Sequence, residues 1–134
     1  RMQRHCENGE AVARYLKSHP KVDLVYWPGF KDNTGFKIAK EQMRGFGGMI
    51  SFTIKGNKKE DALTFLSNCK IFTLAESLGG VESLLCHPAT MTHAAIPKEE
   101  REKTGVVDSL IRLSVGVEDI EDLKADLGQA LDRL

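Results

Sequence analysis

One short run limits what this chain can fold into. Leu110-Ile111-Arg112-Leu113-Ser114-Val115-Gly116 alternates with the period of a strand. Ile111, Leu113 and Val115 point one way; Leu110, Arg112 and Ser114 point the other. A guanidinium in an apolar strand is costly unless it is paired or reaches water. Its planar fork fits a carboxylate with two parallel hydrogen bonds. The run predicts one sheet face packed on a core and one face holding an anion. That anion is either a ligand or, in a structural ion pair, one of the chain's own carboxylates.

The other elements alternate around it. Arg1-Met2-Gln3-Arg4-His5 enters helical periodicity with no capping residue, and Met2, Cys6, Gly9, Val12 and Leu16 share a face. That helix runs to about Ser18 and stops before Pro20. Val22 to Trp27 reads as a strand closed by Pro28-Gly29. A second helix turns Phe36, Ala39 and Met43 inward. Met49 to Lys55 is a strand with Ile50, Phe52 and Ile54 on its apolar side and Ser51 and Thr53 on its polar side. Asn57 caps a third helix carrying Ala62, Phe65, Leu66 and Cys69 inward. Strands follow at Ile71 to Ala75 and Ser83 to Cys86, and Pro97 opens a short exposed helix. The last helix starts near Asp119 and lines up Ile120, Leu123, Leu127, Ala130, Leu131 and Leu134, with Glu118, Asp119, Glu121 and Asp122 where its dipole favours them. This is an α+β pattern. One-sided strands and single-striped helices predict a mostly antiparallel sheet with helices on one face. Arg112, Ser114, Ser51 and Thr53 are left on the other.

Composition removes several function classes. The 134 residues suit one domain, and 19 Lys plus Arg balance 19 Asp plus Glu, leaving no basic excess for nucleic acid. No apolar run reaches the roughly 20 residues of a membrane helix. Three widely spaced cysteines, Cys6, Cys69 and Cys86, suit reduced thiols in a cytoplasmic protein.

Most local motifs have plain readings. Gly45-Phe46-Gly47-Gly48 lacks phosphate-loop spacing and feeds a strand, so strand entry and close backbone packing explain it. Cys86, His87 and His93 match no usual zinc pattern, so no metal site is expected. Cys86 reads as a packed thiol, and His5 and His19 as surface residues on a helix. Glu76-Ser77-Leu78-Gly79-Gly80 puts a carboxylate and a hydroxyl after a strand, where ligand groups often gather. A solvated turn gives the same pattern.

Together these stretches carry a resemblance. Phe72 to Leu84, His87-Pro88-Ala89-Thr90-Met91-Thr92-His93-Ala94 and Leu110 to Asp119 closely resemble the C-terminal domain of the cystathionine gamma-synthase and gamma-lyase family. The Arg1 to His5 opening and Gly45 to Met49 fit too. These are pyridoxal-phosphate (PLP) enzymes of cysteine and methionine metabolism. The resemblance implies the small C-terminal domain of an aspartate-aminotransferase-type (fold type I) enzyme. It implies that residues 1–134 form the substrate-recognition domain of a longer protein, with 1–19 the cut linker helix and the large PLP-binding domain absent.

The same resemblance implies roles. Arg112 matches the arginine that holds the substrate α-carboxylate, and Ser77 the serine that helps place the substrate and the cofactor linkage. Glu76 matches an often acidic position facing the distal part of a cystathionine-sized substrate, and Thr92 a threonine near the substrate. The cofactor would serve as electron sink, with this domain supplying orientation and charge matching. The family's Schiff-base lysine, ring-stacking tyrosine, pyridine-pairing aspartate and phosphate loop lie upstream and have no match here. The chain alone is therefore expected to have no catalytic residue, to hold no cofactor and to turn over nothing. The full-length protein is expected to be a homotetramer acting on cystathionine or an activated homoserine, as a gamma-lyase or gamma-synthase. Cystathionine beta-lyase and methionine gamma-lyase are the alternatives within the family. The alternative outside it is a stand-alone ligand-binding or regulatory α+β module that uses Arg112 as an anion hook.

Overall fold

A computed structural model describes residues 1–134. Five strands form one sheet: β1 (Val22–Tyr26), β2 (Met49–Ile54), β3 (Thr73–Leu74), β4 (Leu84–Cys86) and β5 (Leu110–Ser114). Their order is β1-β2-β5-β4-β3. The pairs β1/β2, β2/β5 and β5/β4 are antiparallel, and β3/β4 is parallel. The sheet is thus mostly antiparallel, as its one-sided strands predict, with one parallel pair at an edge.

The helices are α1 (Met2–Ser18), α2 (Phe36–Gln42), α3 (Lys59–Asn68), α4 (Lys98–Lys103) and α5 (Ile120–Leu131). The inner residues of α1, α3 and α5 (Val12 and Leu16, Ala62 and Phe65, Leu123 and Leu127) share a core of 21 buried residues with Ile50, Phe52, Ile111 and Leu113. Phe52 and Phe65 meet edge to face with centroids 5.5 Å apart. Helices therefore cover one sheet face. Strand register puts Tyr26, Ser51, Arg112 and Cys86 in one row across the opposite face. Arg112 stands at the centre of that row.

The parallel pair decides what happens above Arg112. β4 starts beside β3, so the chain must return along the sheet between them. It does so over the face opposite the helices: Gly79 N–H donates to Ser114 Oγ at 2.8 Å, and Val117 N–H to Val81 O at 2.9 Å. Gly79 has φ +79°, a backbone state open to glycine, and this lets the return loop turn tightly.

Several sequence expectations shift by identifiable contacts. The buried face of α1 is His5, Asn8, Gly9, Val12, Ala13 and Leu16, while Met2 is 60% exposed. His5 and Asn8 turn inward because they bond backbone carbonyls beyond β5. His19 is not a free surface residue either: its ring is packed to 9% exposure, with Nε2 3.4 Å from Asp132. Asn57 does not cap α3. It adopts φ 49°, and its Oδ1 accepts from Ser109 N–H at 3.0 Å. Met43 is exposed and Cys69 only half-buried. Ile71 to Ala75 shortens to Thr73–Leu74 because Asp126, not a strand partner, takes the amides of Ile71 and Phe72. The short α4 is exposed except for the half-buried Glu102 and for Arg101, whose guanidinium is buried against Val106 O and the Asp108 carboxylate. Gly45 to Gly48 packs closely, as its plain reading predicts: a Cβ on Gly9 of α1 would strike Gly47 O and Gly48 Cα.

Candidate functional site

Arg112 is half-buried, and none of the chain's own carboxylates forms a salt bridge with it. The structural ion pair is therefore not what the fold builds. Two backbone carbonyls hold the guanidinium instead: Nη2 donates to Glu76 O at 2.7 Å and, more weakly, to Ser77 O at 3.4 Å. Nε and Nη1 carry three further N–H groups with no acceptor in the protein. A full positive charge with three free N–H donors, oriented by two carbonyls on the loop above, has the chemistry to pair with an anion.

The loop brings Ser77 and Glu76 to this arginine through their backbones, and both residues are exposed. Cys86, across from Arg112 in β4, registers the local field. Burial pushes its thiol above the ordinary range; the Arg112 charge opposes that shift, and the Glu76 carboxylate adds to it. Thr92 is not joined to the group. It lies in the turns after β4, exposed, with Oγ1 bonded to His93 Nδ1 at 2.8 Å. Cys86, His87 and His93 do not gather as ligands. The fully buried His87 donates from Nε2 to Asp108 O at 2.7 Å, and its Nδ1 lies 2.8 Å from Thr90 Oγ1.

Three supports of the loop escape a periodicity reading. Asp126, 4% exposed on α5, accepts N–H bonds from Lys70 (2.8 Å), Ile71 (2.8 Å) and Phe72 (3.0 Å), fixing the entry to β3. Glu118 accepts from Ser83 N–H at 2.6 Å and from its hydroxyl at 2.8 Å, while Ser83 Oγ accepts from Gly116 N–H. Asn8 donates from Nδ2 to Gly116 O at 3.0 Å and Glu118 O at 2.9 Å. A signal existed for Asp126, a carboxylate inside the apolar stripe of Leu123, Leu127 and Ala130. Glu118 is masked by its acidic neighbours. Of these, Asp119 caps α5, accepting from Glu121 and Asp122 amides.

The profile of the family described as Cys/Met metabolism PLP-dependent enzyme matches residues 1–132. The chain belongs to that family. It is 56% identical over 131 residues to the cystathionine beta-lyase of Coxiella burnetii, covering 98% of this chain and 34% of that protein. To the cystathionine gamma-lyase of Dictyostelium discoideum it is 53% identical over 133 residues, covering 99% and 34%. The crystal structure of cystathionine gamma synthase from Xanthomonas oryzae pv. oryzae in complex with cystathionine superposes with a TM-score of 0.92 at 47% identity, covering 99% of this chain and 34% of that one. The fold is thus the one found in these fold type I enzymes, and the chain spans about a third of the length of the relatives it matches.

The cofactor of this family needs a lysine amine and a phosphate cradle. None of the five strands contains a lysine, and no lysine of the chain is buried. The Gly45 to Gly48 run leads into β2 rather than into a helix N-terminus, so it presents no helix-end amides to a phosphate. The residues around Arg112 offer free donors that suit an anionic group. No helix is long and apolar enough to cross a membrane.

Proposed function

We propose that residues 1–134 are the C-terminal substrate-recognition domain of a longer PLP-dependent enzyme of sulfur amino-acid metabolism, in which Arg112 holds the substrate α-carboxylate. The observation that carries this reading is the guanidinium itself: it has free donors and no carboxylate partner, and the Glu76 and Ser77 carbonyls orient it. A carboxylate docked on it is fixed in rotation as well as position, and this is how a domain without a reacting group contributes to rate. Ser77 and Glu76, exposed on the same loop, extend the site toward the reacting centre and the distal end of the substrate. Thr92 is assigned a place at the margin.

The substrate class is cystathionine or an activated homoserine, for elimination or replacement at the γ-carbon. The 56% and 53% identities to a beta-lyase and a gamma-lyase do not separate the reactions. The PLP-binding part is assigned to the portion of the longer protein outside this chain, and α1 to the link between them. Met2, Cys6, Trp27, Met43 and Phe46 line an open, partly apolar groove of about 930 Å³ beside that helix, a surface suited to being covered by the remainder. The whole protein is proposed to be a homotetramer.

The visible spectrum tests this reading. A cofactor band should survive dialysis in the longer protein and not in the 134-residue chain. A band retained by the chain alone would contradict the division of labour. No band in either form would favour the stand-alone binding module.

A further inference from the structure

Met43, Arg44 and Phe46 line two adjoining grooves of different chemistry. The one beside the start of α1 also carries the Glu7 and Glu10 carboxylates. The other, an open cleft of about 540 Å³, is lined by Arg14, Lys31, Lys40 and Arg44 and by no carboxylate. These cations come from α1, the β1–α2 loop, α2 and the segment after it. The chain as a whole is neutral, so their gathering in one cleft does not follow from composition. Of the carboxylates near them, Glu10 is taken by Arg14 and Asp32 by Lys17, and Glu41 does not line the cleft. Lys31, Lys40 and Arg44 make no ion pair. A cleft lined by one sign of charge focuses its field and concentrates counter-ions. The walls are aromatic. Trp27 meets Phe30 and Phe46 edge to face with centroids 5.3 and 5.4 Å apart, and Phe46 lies 6.0 Å from Phe36. A Cβ on Gly29 would strike the Trp27 ring, so glycine lets the loop lie this close to the cluster. Phe36 and Phe46 are half-buried and line the cleft with the cations.

We propose that this cleft binds a nucleoside diphosphate, its phosphates among Lys31, Lys40 and Arg44 and its base against Phe36 and Phe46. The volume falls within the roughly 300–1,000 Å³ of small-molecule sites. A terminal phosphate carries about −1.5 to −2 at neutral pH and the inner one adds a further charge, which three unpaired cations balance. Every base has a face that stacks on an aromatic side chain, whereas inorganic phosphate would leave these walls unused. The compact, ring-walled cleft favours such a ligand over an extended acidic peptide. Neither Arg112 nor the Glu76–Gly80 loop lines it, so the proposal stands apart from the substrate role of Arg112.

Isothermal titration of the whole protein with adenosine diphosphate (ADP), in magnesium-free buffer of low ionic strength, tests the proposal. The expected result is saturable binding with a Kd of about 0.1 mM or tighter. Lys31→Gln and Lys40→Gln change exposed, unpaired side chains, so the fold should persist, and each should weaken ADP about tenfold. ADP should bind about tenfold tighter than inorganic pyrophosphate, and Phe36→Leu should erase that preference. Arg112→Met should leave ADP affinity unchanged, so the cleft and the substrate role of Arg112 fail separately. No saturable binding up to about 1 mM would overturn the proposal. So would full affinity in the Lys31→Gln, Lys40→Gln double variant, or equal affinity for ADP and pyrophosphate. Loss of ADP binding in Arg112→Met would move the ligand to the other anion site and equally overturn it. A polyglutamate peptide that binds more tightly than ADP would give the cleft to a protein partner instead. Self-association that the double lysine variant abolishes would give it to a second copy of this chain.

Discussion

Asp126→Ala should be among the most damaging single substitutions outside the apolar core. Its carboxylate is 4% exposed and takes three successive backbone amides and Gln129 Nε2. Lys70 is exposed, so water can satisfy its amide when the carboxylate is gone. Phe72 is 3% exposed and Ile71 half-buried, and their amides are left without a partner. Hydrogen bonds to a charged group contribute roughly 1.5–3 kcal/mol each, and relief from burying the carboxylate offsets part of the loss. The net cost is about 3–4 kcal/mol, which corresponds to a fall of about 10–15 °C in Tm for a domain of this size. Urea unfolding followed by the fluorescence of Trp27, the single tryptophan and 2% exposed, measures it directly. Asp119→Ala is the internal control: it removes an exposed N-cap and should cost only about 1 kcal/mol. If the Asp126 variant loses no more than that control, the account of the loop's anchor is wrong.

Glu76→Val, tested in the longer protein, should lower kcat/KM for a cystathionine-sized substrate more than for a short one; an equal loss for both would remove Glu76 as a specificity residue. Hydrogen bonds from Lys98 and then Arg101 hold the Asp108 carboxyl below its ordinary value of 3.8. The stability this contributes is present above the unfolded value and is lost as pH falls through the folded one. Thermal melts between about pH 5 and pH 2 should therefore show a decline that Arg101→Met flattens. An unchanged slope in that variant would show that Arg101 has no part in the titration. The Cys69 thiol is pushed up to about 12 by burial and by the Asp126 charge, leaving a thiolate fraction on the order of 10⁻⁴ at pH 8. It should resist thiol reagents until the chain unfolds, and fast labelling of Cys69 in the folded chain would contradict that packing.

The elements that were legible in the sequence are those whose chemistry is local and apolar. The alternation in Ile50, Phe52 and Ile54 and in Ile111, Leu113 and Val115 maps directly onto the buried sheet face. Arg112 stood out because it interrupts such a run, and its strand, face and half-buried state follow from that interruption. Periodicity failed where buried polar groups do the work. His5 and Asn8 occupy the inner face of α1 because carbonyls beyond β5 need donors, and those partners lie more than a hundred residues away. Asp126 replaces a strand partner for Ile71 and Phe72, shortening β3. The parallel β3/β4 pair had no signal in strands of two and three residues. Yet that pair carries the loop over Arg112. The roles of Ser77 and Glu76 came from family resemblance alone; the structure adds that their backbones, not their side chains, touch the arginine.

The central claim is that the Arg112 fork receives an α-carboxylate. The most direct measurement is the affinity of the cofactor-loaded longer protein for an amino acid and for its α-amide, in the wild type and in Arg112→Met. Two charge-assisted hydrogen bonds amount to about 3 kcal/mol, so the wild type should prefer the acid by roughly a hundredfold and the variant should show no preference. A variant that still prefers the acid by that factor would place the carboxylate elsewhere and leave Arg112 as a brace for the loop above it.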